Sequence, residues 1–268
     1  MHGKERAMGR PFRHALGVEL VLPSNLNTDS LGTFSGETAR PADAASTCRN
    51  KAEAGMAITG LPLGLASEGS FGPHPAVPLV AVGHEWMTFV DGAQGLAITE
   101  QLLCWRTNFS HCLLAPGEDP AAWLQRVGFP THAVIVRPNG LGAAVAKGLQ
   151  FLDQLTAAVQ WAAAHSNDGS VLLETDMRAH LNPTRMASLR RLAFRLARRI
   201  RSRCPACSAP GWGWMDRISG LPCRWCGAPT PLTQFELHGC AACGHRQHHP
   251  RRDGMVTADP GQCPDCNP

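Results

Sequence analysis

The last quarter of the chain contains the stretch that decides its organisation: Cys204-Pro-Ala-Cys207, Cys223-Arg-Trp-Cys226, Cys240-Ala-Ala-Cys243 and Cys263-Pro-Asp-Cys266. Eight of the eleven cysteines lie in these pairs, which are separated by 15, 13 and 19 residues. A Cys-x-x-Cys turn directs two sulfurs at one point, and two such turns form a tetrahedral cage that suits zinc. The spacing is close to that of zinc ribbons. We therefore predict two structural zinc ions bound by the eight paired cysteines.

The pattern leaves the sharing of the zinc ions open. Sequential pairing joins the first pair to the second and the third to the fourth, whereas a cross-braced arrangement joins the first to the third and the second to the fourth. We favour sequential pairing because it closes shorter loops at a lower entropic cost. Four histidines are possible substitute ligands, but eight thiolates suffice for two sites, and we interpret these histidines as surface residues: His238, His245, His248 and His249.

Composition predicts a soluble cytoplasmic protein with reduced cysteines. The N-terminal Met-His-Gly-Lys-Glu-Arg has no apolar export segment, and no run approaches the ~20 apolar residues of a membrane helix. A disulfide framework would need an oxidising compartment, which nothing in the sequence indicates. The 268 residues, of which 44% are hydrophobic, suffice for one medium domain and one small one. We expect an α/β domain over residues 1–203 and a double zinc-ribbon domain over residues 204–268.

Hydrophobic patterning predicts strands that alternate with helices before the cysteines. The predicted strands span residues 17–22, 61–66, 77–82, 85–90, 96–104, 132–136 and 171–173. The predicted helices begin at Pro41, Pro120 and Gly148, and a fourth runs from Pro183 to about Ser202 with Asn182 as its N-cap. This order indicates an α/β fold with a mixed sheet flanked by helices, and a ligand crevice beyond the C-terminal ends of parallel strands.

The helix that precedes the cysteines is rich in arginine. Its apolar stripe leaves seven arginines on the remaining surface: Arg190, Arg191, Arg195, Arg198, Arg199, Arg201 and Arg203. A basic surface gives sequence-independent affinity for nucleic acid, and Trp212, Trp214 and Trp225 could stack on bases. The same arginines could equally form a solvated face, and the tryptophans could form the core of a small ribbon.

Two glycine-containing segments carry candidate catalytic acids. Glu68 follows an apolar run in Ala66-Ser67-Glu68-Gly69-Ser70-Phe71-Gly72, where glycines would let a ligand approach the backbone, and Glu37 lies in an earlier loop of the same kind. Arg178 and Arg185 lie at a strand-to-helix connection whose free N–H groups could receive an anion. Carboxylates, cations and glycine loops together favour a magnesium-assisted phosphate site.

Two resemblances add to these observations. The segments 32–37 (GTFSGE), 66–75 (ASEGSFGPHP) and 180–186 (HLNPTRM), with the ending CPDCNP, resemble a bacterial family known only as a domain of unknown function, family 6671. That resemblance covers nearly the whole chain and implies no activity.

Residues 1 to about 110 are distantly similar to the inosine/xanthosine triphosphate pyrophosphatases. The similar segments are His2-Gly3-Lys4-Glu5, Glu37-Thr38, Asn50-Lys51-Ala52 and Leu65-Ala66-Ser67-Glu68-Gly69. This resemblance implies that Lys4 and Lys51 hold phosphates and that Glu37 and Glu68 hold magnesium or activate water. The first strand of those enzymes has no counterpart before Lys4, and the zinc tail is foreign to them.

Two functions therefore follow as hypotheses. The first is a magnesium-dependent pyrophosphatase or phosphohydrolase of non-canonical nucleotides, with Glu68 and Glu37 as catalytic residues and Lys4, Lys51, Arg178 and Arg185 as substrate-binding residues. The second is a non-enzymatic nucleic-acid-binding module that uses the zinc ribbons and the arginine-rich helix.

Overall fold

The computed structural model describes residues 3–24, 43–74, 76–140, 144 and 146–268. The chain divides into two compact units, the first made of Met1–Gly95 and Thr99–Leu196 and the second of Leu96–Ile98 and Ala197–Pro268. Within the described residues the strands form three antiparallel sheets. The predicted α/β class with a small cysteine-rich C-terminal unit is confirmed. The expected crevice at the ends of parallel strands was wrong, because the named strands of the described chain pair antiparallel.

The described residues contain the following elements. The helices are α1 Glu5–Leu16, α2 Ala44–Thr59, α3 Ala121–Val127, α4 Leu152–Ala164 and α5 Pro183–Arg201. The strands are β1 Leu63–His74, β2 Val77–Asp91, β3 Leu96–Cys104, β4 His111–Leu114, β5 Val134–Pro138, β6 Ala146–Leu149, β7 Val171–Thr175, β8 Gly213–Ser219, β9 Thr233–Gly239 and β10 Arg246–Pro250.

The N-terminal segment is helical where the sequence suggested a strand. Helix α1 ends at Gly17, whose φ of 68° suits glycine, and residues 18–23 have no regular structure, so the strand predicted over residues 17–22 was wrong. The carboxylate of Asp43 caps α2 by accepting hydrogen bonds from the backbone N–H groups of Ala45 and Ser46, at 2.9 and 3.0 Å. The predicted helix start at Pro41 and the candidate acid Glu37 lie outside the described residues.

A long hairpin of β1 and β2 forms the centre of the first unit, and β3 completes a sheet of order β1-β2-β3. Strand β3 has the predicted bounds, whereas β2 is one strand where two were expected. Glu68 was predicted in a glycine loop but lies inside β1, opposite Trp86. Glycine serves here for close packing rather than for turning, because a Cβ at Gly64 would lie 2.7 Å from the Met56 sulfur of α2.

The two faces of this hairpin carry different neighbours. Directly opposed residues of an antiparallel pair project to the same face, so Glu68 shares a face with Trp86, and helix α2 covers that face through Lys51 and Cys48. The other face receives Phe12 of α1, whose ring centroid lies 6.5 Å from that of Phe89. Among the described strands of this sheet, β1 lies at one side, next to β2 alone.

The second sheet of this unit has the order β4-β7-β5-β6 and packs against α3 and α4. Its core consists of Leu114, Trp123, Leu124, Val127, Val134, Val136, Leu149, Leu155, Ala158, Ala162, Val171 and Leu173. The helix predicted from Gly148 begins only at Leu152, because the residues before it pair as β6 with β5.

Helix α5 matches its prediction closely. The Asn182 side-chain oxygen accepts a hydrogen bond from the Arg185 N–H at 3.0 Å, and Pro183 is the first helical residue. The expected apolar stripe is buried: Leu189, Leu192, Ala193, Leu196 and Ile200.

The second unit contains a sheet of order β10-β9-β8 and the cysteine turns at its two ends. Within the described part of the chain, no helix is long and apolar enough to cross a membrane.

Candidate metal centres and a charged cavity

The eight paired cysteines form two groups in the second unit. The first group consists of Cys204, Cys207, Cys240 and Cys243, and the second of Cys223, Cys226, Cys263 and Cys266. In the described residues, these are the two groups of three or more potential ligands whose donor atoms all lie within 4.8 Å of one another. Two zinc ions could therefore be held, one in each group.

The sulfur separations fit a metal rather than disulfides. In the first group Cys204 and Cys243 are 3.8 Å apart and Cys207 and Cys240 are 3.7 Å apart; the corresponding distances in the second group are 3.8 and 3.6 Å. Zn–S bonds of about 2.3 Å in a tetrahedron place the sulfurs about 3.8 Å apart, whereas a disulfide needs about 2.05 Å. The residues present therefore fit two tetrathiolate zinc ions.

The sharing of the sites is cross-braced, so the favoured sequential pairing was wrong. The reason is the strand pairing: β8 runs antiparallel to β9, with Gly213 at the start of β8 opposite Gly239 at the end of β9. The first cysteine pair precedes β8 and the third follows β9, so the sheet places them at the same end. The second pair follows β8 at the other end, where Cys223 forms a bridge with Ala258 near the fourth pair. Sheet register outweighs the entropy of closing longer loops.

Backbone N–H groups surround the sulfurs. The N–H groups of Ala206, Trp225 and Ala242 each point at the sulfur of the cysteine two residues earlier, at 3.4 Å. The backbone hydrogen bond from Cys226 lowers the pKa of Cys223 to about 7, whereas the hydrogen bond to the Cys226 thiol raises the pKa of Cys266 to about 12. Backbone donors of this kind stabilise the thiolates that a zinc ion requires.

A separate candidate site is a cavity of about 450 Å³ in the first unit. Five predicted site residues from distant positions line it together: Lys4, Lys51, Glu68, Arg178 and Arg185. The rest of the wall is largely apolar and includes Met8, Phe12, Val18, Met56, Leu63 and Phe89. The cavity therefore has a charged region beside an apolar one.

Glu68 and the two lysines meet at strand β1. Lys51 donates to the Glu68 carboxylate at 2.5 Å, and both side chains are about nine-tenths buried, with 10% and 9% exposed. Lys4 donates to the backbone oxygen of Ser67 at 2.8 Å. Removal from water, followed by the nearby Arg185 charge, lowers the pKa of Lys4 from 10.5 to about 8.

Glu85 was missed by the sequence interpretation, yet it is the most buried acid of this region. Its carboxylate accepts hydrogen bonds from Arg185 at 2.6 and 3.3 Å, and the two side chains are 0% and 3% exposed. A Cβ at Gly69 would lie 2.5 Å from a Glu85 oxygen and 2.6 Å from an Arg185 nitrogen. Only glycine therefore leaves room for the ion pair against β1. An acid within the apolar run of residues 79–90 is the signal that could have revealed it.

The remaining cation of the cavity is also paired. Arg178 donates to both carboxylate oxygens of Asp176, with a shortest distance of 2.6 Å, while 31% of its side chain stays exposed.

The described residues do not fit a magnesium site. Of the two buried carboxylates nearest the lysines, Glu68 is paired with Lys51 and Glu85 with Arg185. Magnesium prefers one or two carboxylates free to join phosphate oxygens and water. Glu37, the predicted second ligand, lies outside the described residues.

Comparison with known proteins identifies the family. Residues 51–268 match the model of the family described as a domain of unknown function, DUF6671, so the chain belongs to that family. This match runs from Lys51, within α2, to Pro268 and confirms the first resemblance, although the segment 32–37 lies outside the matched residues. A search of curated proteins and a search of solved structures gave no match, and the similarity to the triphosphate pyrophosphatases is not confirmed.

Proposed function

We propose that this chain is a zinc-stabilised protein whose first unit binds a small phosphorylated ligand of nucleotide size and hydrolyses it. The observation that carries the proposal is the convergence of four cations, Lys4, Lys51, Arg178 and Arg185, on one cavity. A volume of about 450 Å³ lies within the range of roughly 300–1,000 Å³ typical of small-molecule sites. The apolar wall suits the base and sugar of a nucleotide, and the cations suit its phosphates.

Two groups at the edge of β1 support an anionic ligand. Within the described residues, Lys4 donates to a backbone carbonyl oxygen and takes part in no ion pair, so its charge is available to a phosphate. The neighbouring hydroxyl of Ser67 is buried and has no hydrogen-bond partner among the described atoms. Buried polar groups without partners are uncommon in folded proteins, and a phosphate oxygen would satisfy this donor.

The Lys51–Glu68 pair supports a hydrolytic role. A phosphate that binds Lys51 competes with Glu68 for the ammonium group and leaves the carboxylate able to accept a proton. Glu68 then removes a proton from water as the water oxygen attacks phosphorus, and the bond to the leaving phosphate oxygen breaks. General base catalysis of this kind typically contributes ~10²–10⁴-fold to the rate.

The experiment is a screen of purine nucleoside mono-, di- and triphosphates against the parent nucleosides and inorganic phosphate. Thermal stabilisation reports binding, and release of phosphate or pyrophosphate, with and without magnesium, reports turnover. We expect phosphorylated compounds alone to stabilise the protein, and Glu68→Gln to retain binding while turnover falls at least a hundredfold. Absence of both stabilisation and turnover across the screen would overturn the proposal.

A matched pair of variants on α2 tests the cavity. Lys51→Gln removes a cation from the cavity, whereas Arg49→Gln removes one from the same helix, where Arg49 pairs with exposed Glu53 at 2.7 Å. We expect the first to weaken binding at least tenfold and the second to leave it unchanged. Equal effects would place the ligand elsewhere.

The second unit supports a second candidate, binding of single-stranded nucleic acid. The observation that favours it is Trp225, which lies between two zinc-ligand candidates and is 76% exposed, beside Arg224. An exposed indole next to a guanidinium suits base stacking and phosphate contact. Trp212 is less available because it stacks on His245 at 5.4 Å. Replacement of Trp225 by alanine should abolish oligonucleotide binding without loss of metal.

The tetrathiolate sites also bear on location. Thiolates must stay reduced to bind zinc, so we propose a reducing compartment such as the cytoplasm.

A further inference from the structure

Two histidines of the second unit have buried ring nitrogens that nothing in the described structure satisfies. The Nε2 atoms of His238 and His249 are both inaccessible to water and have no hydrogen-bond partner. The two rings lie against each other with centroids 4.2 Å apart. The sequence had suggested surface residues, yet the His238 side chain is only 17% exposed. Two unsatisfied imidazole nitrogens on adjacent rings call for a partner.

The strand register brings a carboxylate to the same place. His249 of β10 lies opposite Glu236 of β9, and His238 is two residues further along β9, so the three side chains project from one face of the sheet. The Glu236 carboxylate lies 3.8 Å from His238 Nε2. His248 projects from the opposite face, where its ring stacks on Phe235 at 5.6 Å.

We propose that His238, His249 and Glu236 form a third metal site, distinct from the two tetrathiolate groups, for a divalent ion that prefers imidazole ligands. Zinc, cobalt and nickel bind two imidazoles and a carboxylate, with water in the remaining position. An ion within reach of both Nε2 atoms would accept the in-plane lone pairs that the protein leaves unused. This site is independent of the cavity in the first unit and of the proposed ligand.

Metal binding at this site requires side-chain rearrangement. The same Glu236 oxygen lies 3.3 Å from Nε of Arg252, and the donor atoms of Glu236, His238 and His249 do not all lie within 4.8 Å of one another, as those of each cysteine group do. The Arg252 side chain is 78% exposed, so exchange of this arginine for a metal ion breaks only a weak surface ion pair. A water molecule could also bridge the histidines, but because it is neutral it would leave the Glu236–Arg252 ion pair in place, whereas a metal ion would replace Arg252.

Metal counting on the full chain tests the proposal. Purified protein is loaded with cobalt under reducing, oxygen-free conditions, freed of excess ion, and analysed for bound metal and for its visible spectrum. We expect about three cobalt ions per chain. Two should give intense sulfur-to-cobalt charge-transfer bands, and one should give only the weaker bands of a nitrogen–oxygen site.

Neighbouring histidines supply the matched variants. His249→Gln should lose one equivalent and keep the charge-transfer bands, whereas His248→Gln, one residue away on the other face, should keep all three. Two equivalents in the unaltered protein, or equal metal content in both variants, would overturn the third site. Loss of the charge-transfer bands in the unaltered protein would instead count against the tetrathiolate sites, so the two failures are distinguishable.

Discussion

The buried Arg185–Glu85 ion pair offers the sharpest test of the first unit. Replacement of Glu85 by glutamine is nearly isosteric, so it changes the charge and leaves the packing largely intact. The Arg185 guanidinium then remains buried beneath the cavity and no longer faces the Glu85 charge. It keeps its hydrogen bond to the Met177 carbonyl oxygen and its position 5.1 Å from the Phe71 ring, but neither neutralises a cation.

The magnitude follows from burial. With side-chain exposures of 0% and 3%, solvent screens this pair little, and removal of one partner from a buried pair costs about 3–5 kcal/mol. For a unit of this size each kcal/mol lowers the melting temperature by roughly 2–4 °C, so we expect a fall of roughly 6–20 °C. Urea unfolding followed by circular dichroism at saturating zinc gives the free energy of unfolding while the second unit stays constant.

Two further variants make this measurement decisive. Glu53→Gln breaks an exposed pair with Arg49, whose side chains are 57% and 44% exposed, and should cost about 0.5 kcal/mol or less. The double change of Glu85 to leucine and Arg185 to methionine should recover most of the lost stability, because it removes both charges. A loss below about 1 kcal/mol for Glu85→Gln would refute the inference that the pair is buried and isolated from water.

Two other predictions concern the cysteines and Lys4. A chain carrying Cys263→Ser and Cys266→Ser should bind one zinc fewer than the unaltered chain, and alkylation should modify the second Cys-x-x-Cys pair while the third stays protected. The reverse labelling would support sequential pairing. The folded-state pKa of Lys4 is about 8 against 10.5 for the free side chain, so the unfolded chain binds more protons between those values and stability rises with pH through that window. Lys4→Met should therefore be more stable than the unaltered chain near neutral pH, with an advantage that shrinks towards pH ~10.5. Urea titrations at several pH values measure this advantage, and an advantage that does not change with pH would contradict the lowered pKa.

The zinc ligands could be predicted from sequence because a Cys-x-x-Cys turn is local chemistry, whereas their sharing could not. The cross-brace depends on which ends of β8, β9 and β10 lie together, and that register is set by contacts between distant residues. Loop closure is the local argument, and it favoured the wrong pairing. Helix α5 was predictable for the same reason as the turns, since its cap and its apolar stripe are both read within one short segment.

In the cavity, too, the residue types could be predicted from the sequence but their arrangement could not. Its cations were identified by residue type and neighbouring motif, and the fold brings Lys4, Lys51, Arg178 and Arg185 together. The interpretation of Glu68 as a loop residue was wrong because glycine permits turns and also permits close approach. Gly64 and Gly69 serve the second purpose, since each leaves room for a side chain across β1. Only the tertiary structure distinguishes these two uses of glycine. Glu85 was overlooked for a similar reason, because its partner Arg185 is 100 residues away in the sequence.

The last prediction concerns the basic helix and depends on the charge that zinc brings. Residues 197–268 contain nine arginines and five acids, a formal charge of +4. Each zinc bound by four thiolates carries a formal charge of −2, so the unit is close to neutral once both tetrathiolate sites are loaded, and its long-range attraction for a polyanion is weak.

Local charge then decides binding, because the Debye length is about 10 Å at 0.1 M salt. Arg195 is paired with Glu100 at 3.2 Å, and Arg199 donates to the Gly211 carbonyl oxygen, whereas Arg191 and Arg198 are exposed on α5. We expect weak binding of a single-stranded oligonucleotide, with each phosphate contact contributing about −0.7 to the slope of log K against log salt. Replacement of Arg191 and Arg198 by glutamine should reduce the slope by about 1.4, and replacement of Arg195 and Arg199 should change it less. Fluorescence anisotropy at several salt concentrations measures this slope. An unchanged slope in the first variant would show that Arg191 and Arg198 form a solvent-exposed face that does not contact the oligonucleotide.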